Sequence, residues 1–208
     1  EGQFSSEDSV KKFVGVLNCS CEFPLIKHMS EEDVLWLCKV IWNGGVDMLR
    51  QKYFVYCFDA LETLDTICSW RDEIPETILL KVDCCRLRVK AALCIFEGQL
   101  VPNHDKYIAQ TLKIIAQGRE IDSQMHQLSQ SLNKEQLKKI QWSFGTLFAM
   151  ELRVRMAYND SPKKIENLIR ASTSHEFVNE SHLSFMCSTL ENAHHIDSNL
   201  IEEWILII

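Results

Sequence analysis

The sequence predicts an all-α protein of stacked antiparallel helix hairpins, and three observations lead there. Turn residues are scarce: 208 residues contain only 7 Gly and 4 Pro, too few for the frequent turns of an all-β sandwich. Leu, Ile, Lys, Glu and Gln, mostly good helix formers, are abundant. Apolar residues recur at three- and four-residue spacing through most of the chain, as expected of helices with one buried face. With 46% hydrophobic content, a chain of this length can bury a substantial core as one domain spanning 1–208.

The stretch from Lys39 to Leu64, KVIWNGGVDMLRQKYFVYCFDALETL, shows the unit most clearly. Ile41, Gly45, Met48 and Leu49 fall on one helical stripe, and Phe54, Cys57, Phe58, Leu61 and Leu64 on another, with a tight turn between. Gly45 would cost its helix about 1 kcal/mol relative to Ala. Its presence therefore predicts a neighbouring helix packed against the backbone there, with Cys57 as the small residue on the return helix.

In chain order, Ser5, Ser6, Glu7 and Asp8 supply a cap and an acidic first turn for a leading helix over 5–18, with Val10, Phe13, Val14 and Leu17 on its buried face. CSCEFPLIKHM is a linker ending at Ser30, which caps the first hairpin, about 31–70. A second hairpin, about 76–118, opens with a long helix that Gly98 and Pro102 stop, followed by a helix with Ile108, Leu112 and Ile115 on one stripe. Ala109 and Ala116, seven apart, predict close packing on two sides, and Gly118 is the expected terminator. After the polar connector SQMHQLSQSL, Asn133 and Gln136 form a capping-box pattern opening a third hairpin, about 133–172. Its first helix carries Leu137, Ile140, Phe144, Leu147 and Phe148, and Ser161-Pro162 starts its second. A fourth hairpin, about 176–208, brings the total to eight or nine helices. Its apolar end, EEWILII, leaves two readings open: it docks on the core, or the chain is a fragment of a longer repeat protein.

Composition narrows the function. A net charge of -7 and a pI near 5.5 disfavour direct nucleic-acid binding, which draws on Lys and Arg. No run reaches the 18 or more apolar residues of a membrane span, and EGQFSSEDSV lacks a signal-peptide pattern. Nine cysteines is an odd count, and Cys38, Cys57, Cys84, Cys94 and Cys187 lie in apolar helical runs where Cys acts as a small hydrophobe. They predict a reduced, intracellular protein, in which the sequons at Asn18, Asn159 and Asn179 are chance matches. Cys19-x-Cys21 and Cys84-Cys85 lack the spacing and second pair of a zinc site, and His194-His195 point apart on a helix end. No glycine-rich phosphate loop, HExxH, GxSxG or kinase signature occurs. Neither an enzyme nor a metal or cofactor is expected.

KVIWNGGVDM from Lys39 and KIQWSFGTLF from Lys139 share Lys, an aliphatic residue, Trp, Gly and a large apolar residue at matching offsets. Their separation approximates three units of about 34 residues, and in this the chain resembles tetratricopeptide repeats. That family pairs small residues between helices, as Gly45 with Cys57 and Ala92 with Ala109 and Ala116 would, while Gly145 with Phe148 supplies half of the pattern. The resemblance implies an α-solenoid and puts Trp42 and Trp142 on the helix side that lines an inner groove. Either Trp is core or an aromatic anchor for a partner, with Lys39, Arg50, Arg86 and Lys139 flanking as contacts to an acidic peptide segment or helix. Lys81, Arg86, Arg88 and Lys90 crowd one helix and favour the same acidic partner.

The hairpin IWNGGVDMLRQKYFVYCFDALETL also resembles the meiotic crossover-promoting scaffolds that act in synapsis, through its Trp-Asn pair, short turn and aromatic-rich return helix. This resemblance implies a non-enzymatic scaffold linking crossover factors to chromosome-axis proteins in the nucleus; without it the expected location is cytoplasmic. The alternative is a non-catalytic regulatory helical domain of a larger enzyme or complex.

Overall fold

The computed structural model describes residues 4, 6–22, 24–72, 74–128, 132–193 and 196–208. The Cys21 thiol and His194-His195 lie outside the described residues. Those described form an all-α chain without strands: α1 (Glu7–Glu22), a 3-10 turn (Pro24–His28), α2 (Glu31–Arg50), α3 (Phe54–Trp70), α4 (Pro75–Glu97), α5 (His104–Leu128), α6 (Lys134–Ala157), α7 (Pro162–Thr173), α8 (Glu180–Glu191) and α9 (Ser198–Ile207).

Local chemistry starts these helices where the sequence predicts. The Ser30 hydroxyl accepts the Asp33 N–H at 3.2 Å to open α2. Asn133 and Gln136 close a full capping box on α6, satisfying N–H groups that have no partner within the helix. Pro162 occupies the first turn of α7, although the Ser161 side chain makes no capping bond. α8 begins at Glu180 rather than near 176, because Asn179, read above only as a sequon, forms a second capping box with His182.

Three hairpins turn in the same way. After α2, α4 and α6 the chain places one non-glycine residue in the left-handed region, Lys52 (φ 66°), Gln99 (φ 47°) and Asn159 (φ 54°). The following N–H then bonds back five residues: Tyr53 to Met48, Leu100 to Ile95 and Asp160 to Arg155. This is the Schellman closure, which usually recruits glycine. Gly98, the expected stop for α4, is right-handed (φ -80°), and the left-handed position falls one residue later. Gln99→Gly should therefore stabilise the chain by about 1 kcal/mol, read as a higher denaturation midpoint; Gly98→Ala, which gives no such relief, is the comparison.

Two elements run longer than the sequence suggests. Cys19–Glu22 continue α1, since no helix breaker precedes Pro24. Gly118 does not end α5, which continues into the expected polar connector as far as Leu128. It is instead a close-approach residue, because a Cβ there would collide with the Leu147 side chain of α6. Ala109 and Ala116 are exposed, so α5 is not packed on two sides as their spacing suggests.

Each helix packs mainly on those one or two places away in the chain, with α4 meeting α2, α3, α5 and α6, and α6 meeting α4, α5, α7 and α8. The even-numbered helices α2, α4, α6 and α8 thus touch in succession and form one layer, an arrangement of stacked hairpins. They begin at Glu31, Pro75, Lys134 and Glu180. Two long hairpins therefore separate Lys39 from Lys139, not three units of about 34 residues.

α6 ties the core together. Leu147, Met150 and Val154 join the main cluster with α1–α5; Ala149, Leu152 and Met156 join α7–α9; Ile140, Phe144 and Phe148 meet Val82 and Ile121 of α4 and α5. Gly45 packs as predicted, but its neighbour is Leu61, whose Cδ2 would lie 2.8 Å from a Cβ there, one turn beyond Cys57. Cys38, Cys57, Cys68, Cys84 and Cys85 are all buried, and burial pushes the Cys57 and Cys85 thiols up to about 12. Their protonated state suits packing, and Cys84 Sγ donates to the Leu61 carbonyl at 2.9 Å.

Candidate functional site

Trp142 stands on the even-numbered layer where α4, α6 and α8 meet. Its surroundings start from Asp83, a buried carboxylate on α4. Oδ1 accepts from the Ser143 hydroxyl of α6 at 2.5 Å, Oδ2 lies 3.3 Å from Lys139 Nζ, and Arg86 Nη2 lies 3.5 Å from Oδ1. One acidic side chain thus fixes the α4–α6 register and gathers Lys139 and Arg86 beside Trp142. The Arg86 guanidinium sits 5.0 Å from the Trp142 ring centroid, within cation–π range.

From the other side α8 contributes His182, its ring centroid 6.4 Å from that of Trp142. Gly145 makes this approach possible: a Cβ there would collide with the His182 ring and the Phe177 carbonyl. His182 Nδ1 accepts the Asn179 N–H at 3.2 Å, and Nε2 lies 3.3 Å from Thr146 Oγ1. Accepting at Nδ1 requires that nitrogen to be unprotonated.

Burial lowers the His182 pKa, and a hydrogen bond with the Trp142 backbone offsets this only in part. Since the folded pKa lies below the unfolded value near 6.5, the stabilisation is present above that value. It is lost as pH falls through the folded pKa. Acidification from about pH 7 to about pH 5 should lower the amide-exchange protection factors of α8, taken relative to the intrinsic rate at each pH, before those of α2–α4; a His182→Leu variant, having no ring to titrate, should lose that pH dependence.

Together these helices enclose a groove of about 420 Å³, with α6 as its floor, Arg86, Lys90 and Leu93 on the α4 side and Ser181, His182 and Phe185 on the α8 side. Trp142 is 49% exposed and Phe185 38%, well above their fully buried neighbours. A second hollow of about 350 Å³ continues toward Phe96 and Ala193 and shares Glu97, Arg153 and Phe185 with the first. At the junction Arg153 donates to both Glu97 oxygens, at 2.6 and 2.7 Å, bridging α6 to α4. From Trp142 to Met156 the floor runs about 20 Å at the helical rise.

The structure divides the six residues singled out from sequence. Trp142, Arg86 and Lys139 meet at this groove. Trp42, Lys39 and Arg50 belong to α2, which packs chiefly on α3 and α4. Trp42 is half-buried against the main core, Lys39 and Arg50 face solvent, and the exposed tryptophan of α2 is Trp36, at 64%. The basic run on α4 is no uniform solvated face either. Arg88 is buried, 2.9 Å from Glu62 and 3.4 Å from Asp65, and stacks over Phe58, which leaves Arg86 and Lys90 toward the groove. Sequence reasoning missed His182 and Phe185; the Asn179-x-x-His182 spacing was the available signal for the first.

Behind α6, opposite in chain order, Glu151 is fully buried and joins Arg119 of α5 to Arg155, which reaches Asp160 at 2.7 Å. No group of three or more His, Cys, Asp or Glu residues that could hold a metal ion occurs among the described residues. No helix among them is long and apolar enough to cross a membrane. Comparison with protein families, with curated proteins and with solved structures finds no match.

Proposed function

We propose that this chain is a protein-binding scaffold without chemistry of its own, which captures a partner segment in the α4–α6–α8 groove. The observation that carries this reading is the half-exposed Trp142 on the floor of a concave site on the even-numbered layer. A large aromatic at the bottom of a groove, ringed by polar groups, is the usual form of a binding hot spot. Two bound neighbours, Arg86 and His182, restrict its ring, so little side-chain entropy is left to lose on binding. The hairpin around Trp42 and Asn43 supports a role among meiotic synapsis scaffolds, and a nuclear location, by resemblance alone.

Trp142→Ala should weaken binding of display-selected peptides by tenfold or more, about 1.4 kcal/mol, with little loss of stability. Trp36→Ala, removing the most exposed tryptophan of α2, should leave their affinity unchanged. Isothermal titration of both variants checks this; equal affinity of wild type and Trp142→Ala would end the groove reading.

A further inference from the structure

The groove reverses the sign of the protein around it. The chain carries a net charge of -7, yet Arg86, Lys90 and Arg153 line the groove against one acidic side chain, Glu97. Arg153 is spent on Glu97, in the two short hydrogen bonds that bridge α6 to α4. Arg86 and Lys90 are not balanced in this way. Arg86 is held by Asp83 through a single 3.5 Å contact, and its buried Nε has no hydrogen-bond partner. Lys139, 69% exposed at the side chain, shares the Asp83 carboxylate with Arg86, so these two cations have one negative charge between them and leave a net positive charge one helical turn before Trp142. Apolar surface lies directly beside these cations, contributed by Trp142, Leu93, Met150 and Phe185.

Resting on the scaffold reading above, we infer that the occupant is an acidic protein segment whose carboxylate pairs with Arg86 and Lys90 while its adjoining apolar side chains cover Trp142 and Phe185. The arrangement is matched in chemistry and in order. A carboxylate fits the guanidinium fork of an arginine better than any neutral group. The place of Arg86 over the Trp142 ring, 5.0 Å from the centroid, also holds the guanidinium beside the groove. Elsewhere the acidic surface repels such a segment, so the sign reversal also confines where it docks. The Glu97–Arg153 pair, standing in the groove beyond Phe185, marks the end of the charged subsite; the hollow past it, lined by Phe96, Met156 and Ala193, would take apolar side chains without a charge.

The test is a displayed library of random dodecapeptides panned against the whole folded chain, with the enriched peptides synthesised and titrated. Enrichment of Asp or Glu next to Leu, Phe or Trp is the expected result. Arg86→Gln should then weaken binding about tenfold, and Lys90→Glu, on an exposed side chain that does not bear on folding, several-fold. Replacing the peptide's acid by Lys should restore part of the affinity for Lys90→Glu. A neutral or basic consensus that still needs Trp142 would overturn the acidic assignment and leave the groove intact. Absence of any peptide sensitive to Trp142→Ala would overturn both. Dodecathymidylate binding as tightly as the peptides, and lost with Arg86→Gln, would replace the acidic segment by a single-stranded nucleic acid.

Discussion

Glu151→Ala is expected to destabilise the chain by about 3 kcal/mol, the lower end of the cost of removing one partner from a buried ion pair. The Glu151 carboxylate has no exposed surface. Oε1 accepts from Arg155 Nε at 2.7 Å and Oε2 from Arg119 Nε at 3.0 Å. These bonds connect α5 to α6, and the Arg155–Asp160 bond carries the connection into the turn before α7, where Lys164 pairs with Asp160 at 3.2 Å. Deletion leaves two guanidiniums without their shared partner. The loss stays near the lower end because the Arg119 and Arg155 side chains are 41% and 27% exposed, so water can rehydrate both. Glu151→Gln, which keeps an acceptor for one arginine, should lose less. Urea denaturation of the three proteins gives the order; a Glu151→Ala midpoint equal to wild type would mean that the ion pair contributes nothing net.

Gly145→Val should cost about 3 kcal/mol, the upper end of the overpacking range. A side chain at this position gains helix propensity over glycine, by less than about 1 kcal/mol, but it meets the Phe177 carbonyl and the His182 ring. Neither can turn aside: one is backbone, and the other is held by the Asn179 N–H and Thr146. α8 must then move off α6, so the variant should lose groove binding together with stability. Gly15→Ala is the control. Gly15 is an exposed position of α1 with nothing within 4 Å of a notional Cβ, so only the propensity gain remains and its melting temperature should rise by a few degrees.

Most of the fold is legible in the sequence because helix formation and helix faces are local properties. Val10, Val14 and Leu17, Ile41 and Met48, Cys57, Phe58, Leu61 and Leu64, and Ile165, Leu168 and Ile169 sit on the buried stripes that their spacing indicates. Capping at Ser30 and Asn133 is equally local. What spacing does not contain is which neighbour covers a face. Trp42 and Trp142 share an offset, as do Gly45 and Gly145, yet Gly45 faces Leu61 of its own hairpin and Gly145 faces α8 of the next. The two helices are turned differently toward their neighbours, so one tryptophan is half-buried and the other lines a groove. Gly118 is a similar case. Read along the chain it is a stop signal; in three dimensions it is where the Leu147 side chain of α6 leaves no room for a Cβ on α5. Arg88 looks like part of a basic face until α3 supplies Glu62 and Asp65 to neutralise it.

The central claim is that a partner segment lies on the even-numbered layer across α4, α6 and α8. Amide chemical-shift mapping of the isotope-labelled chain, titrated with a display-selected peptide, tests it most directly. The account predicts shifts concentrated at Arg86–Glu97, Trp142–Met156 and Ser181–Ala193, with α2 from Trp36 to Arg50 unaffected. Shifts confined to α2, or to the odd-numbered helices α3, α5 and α7, would contradict it.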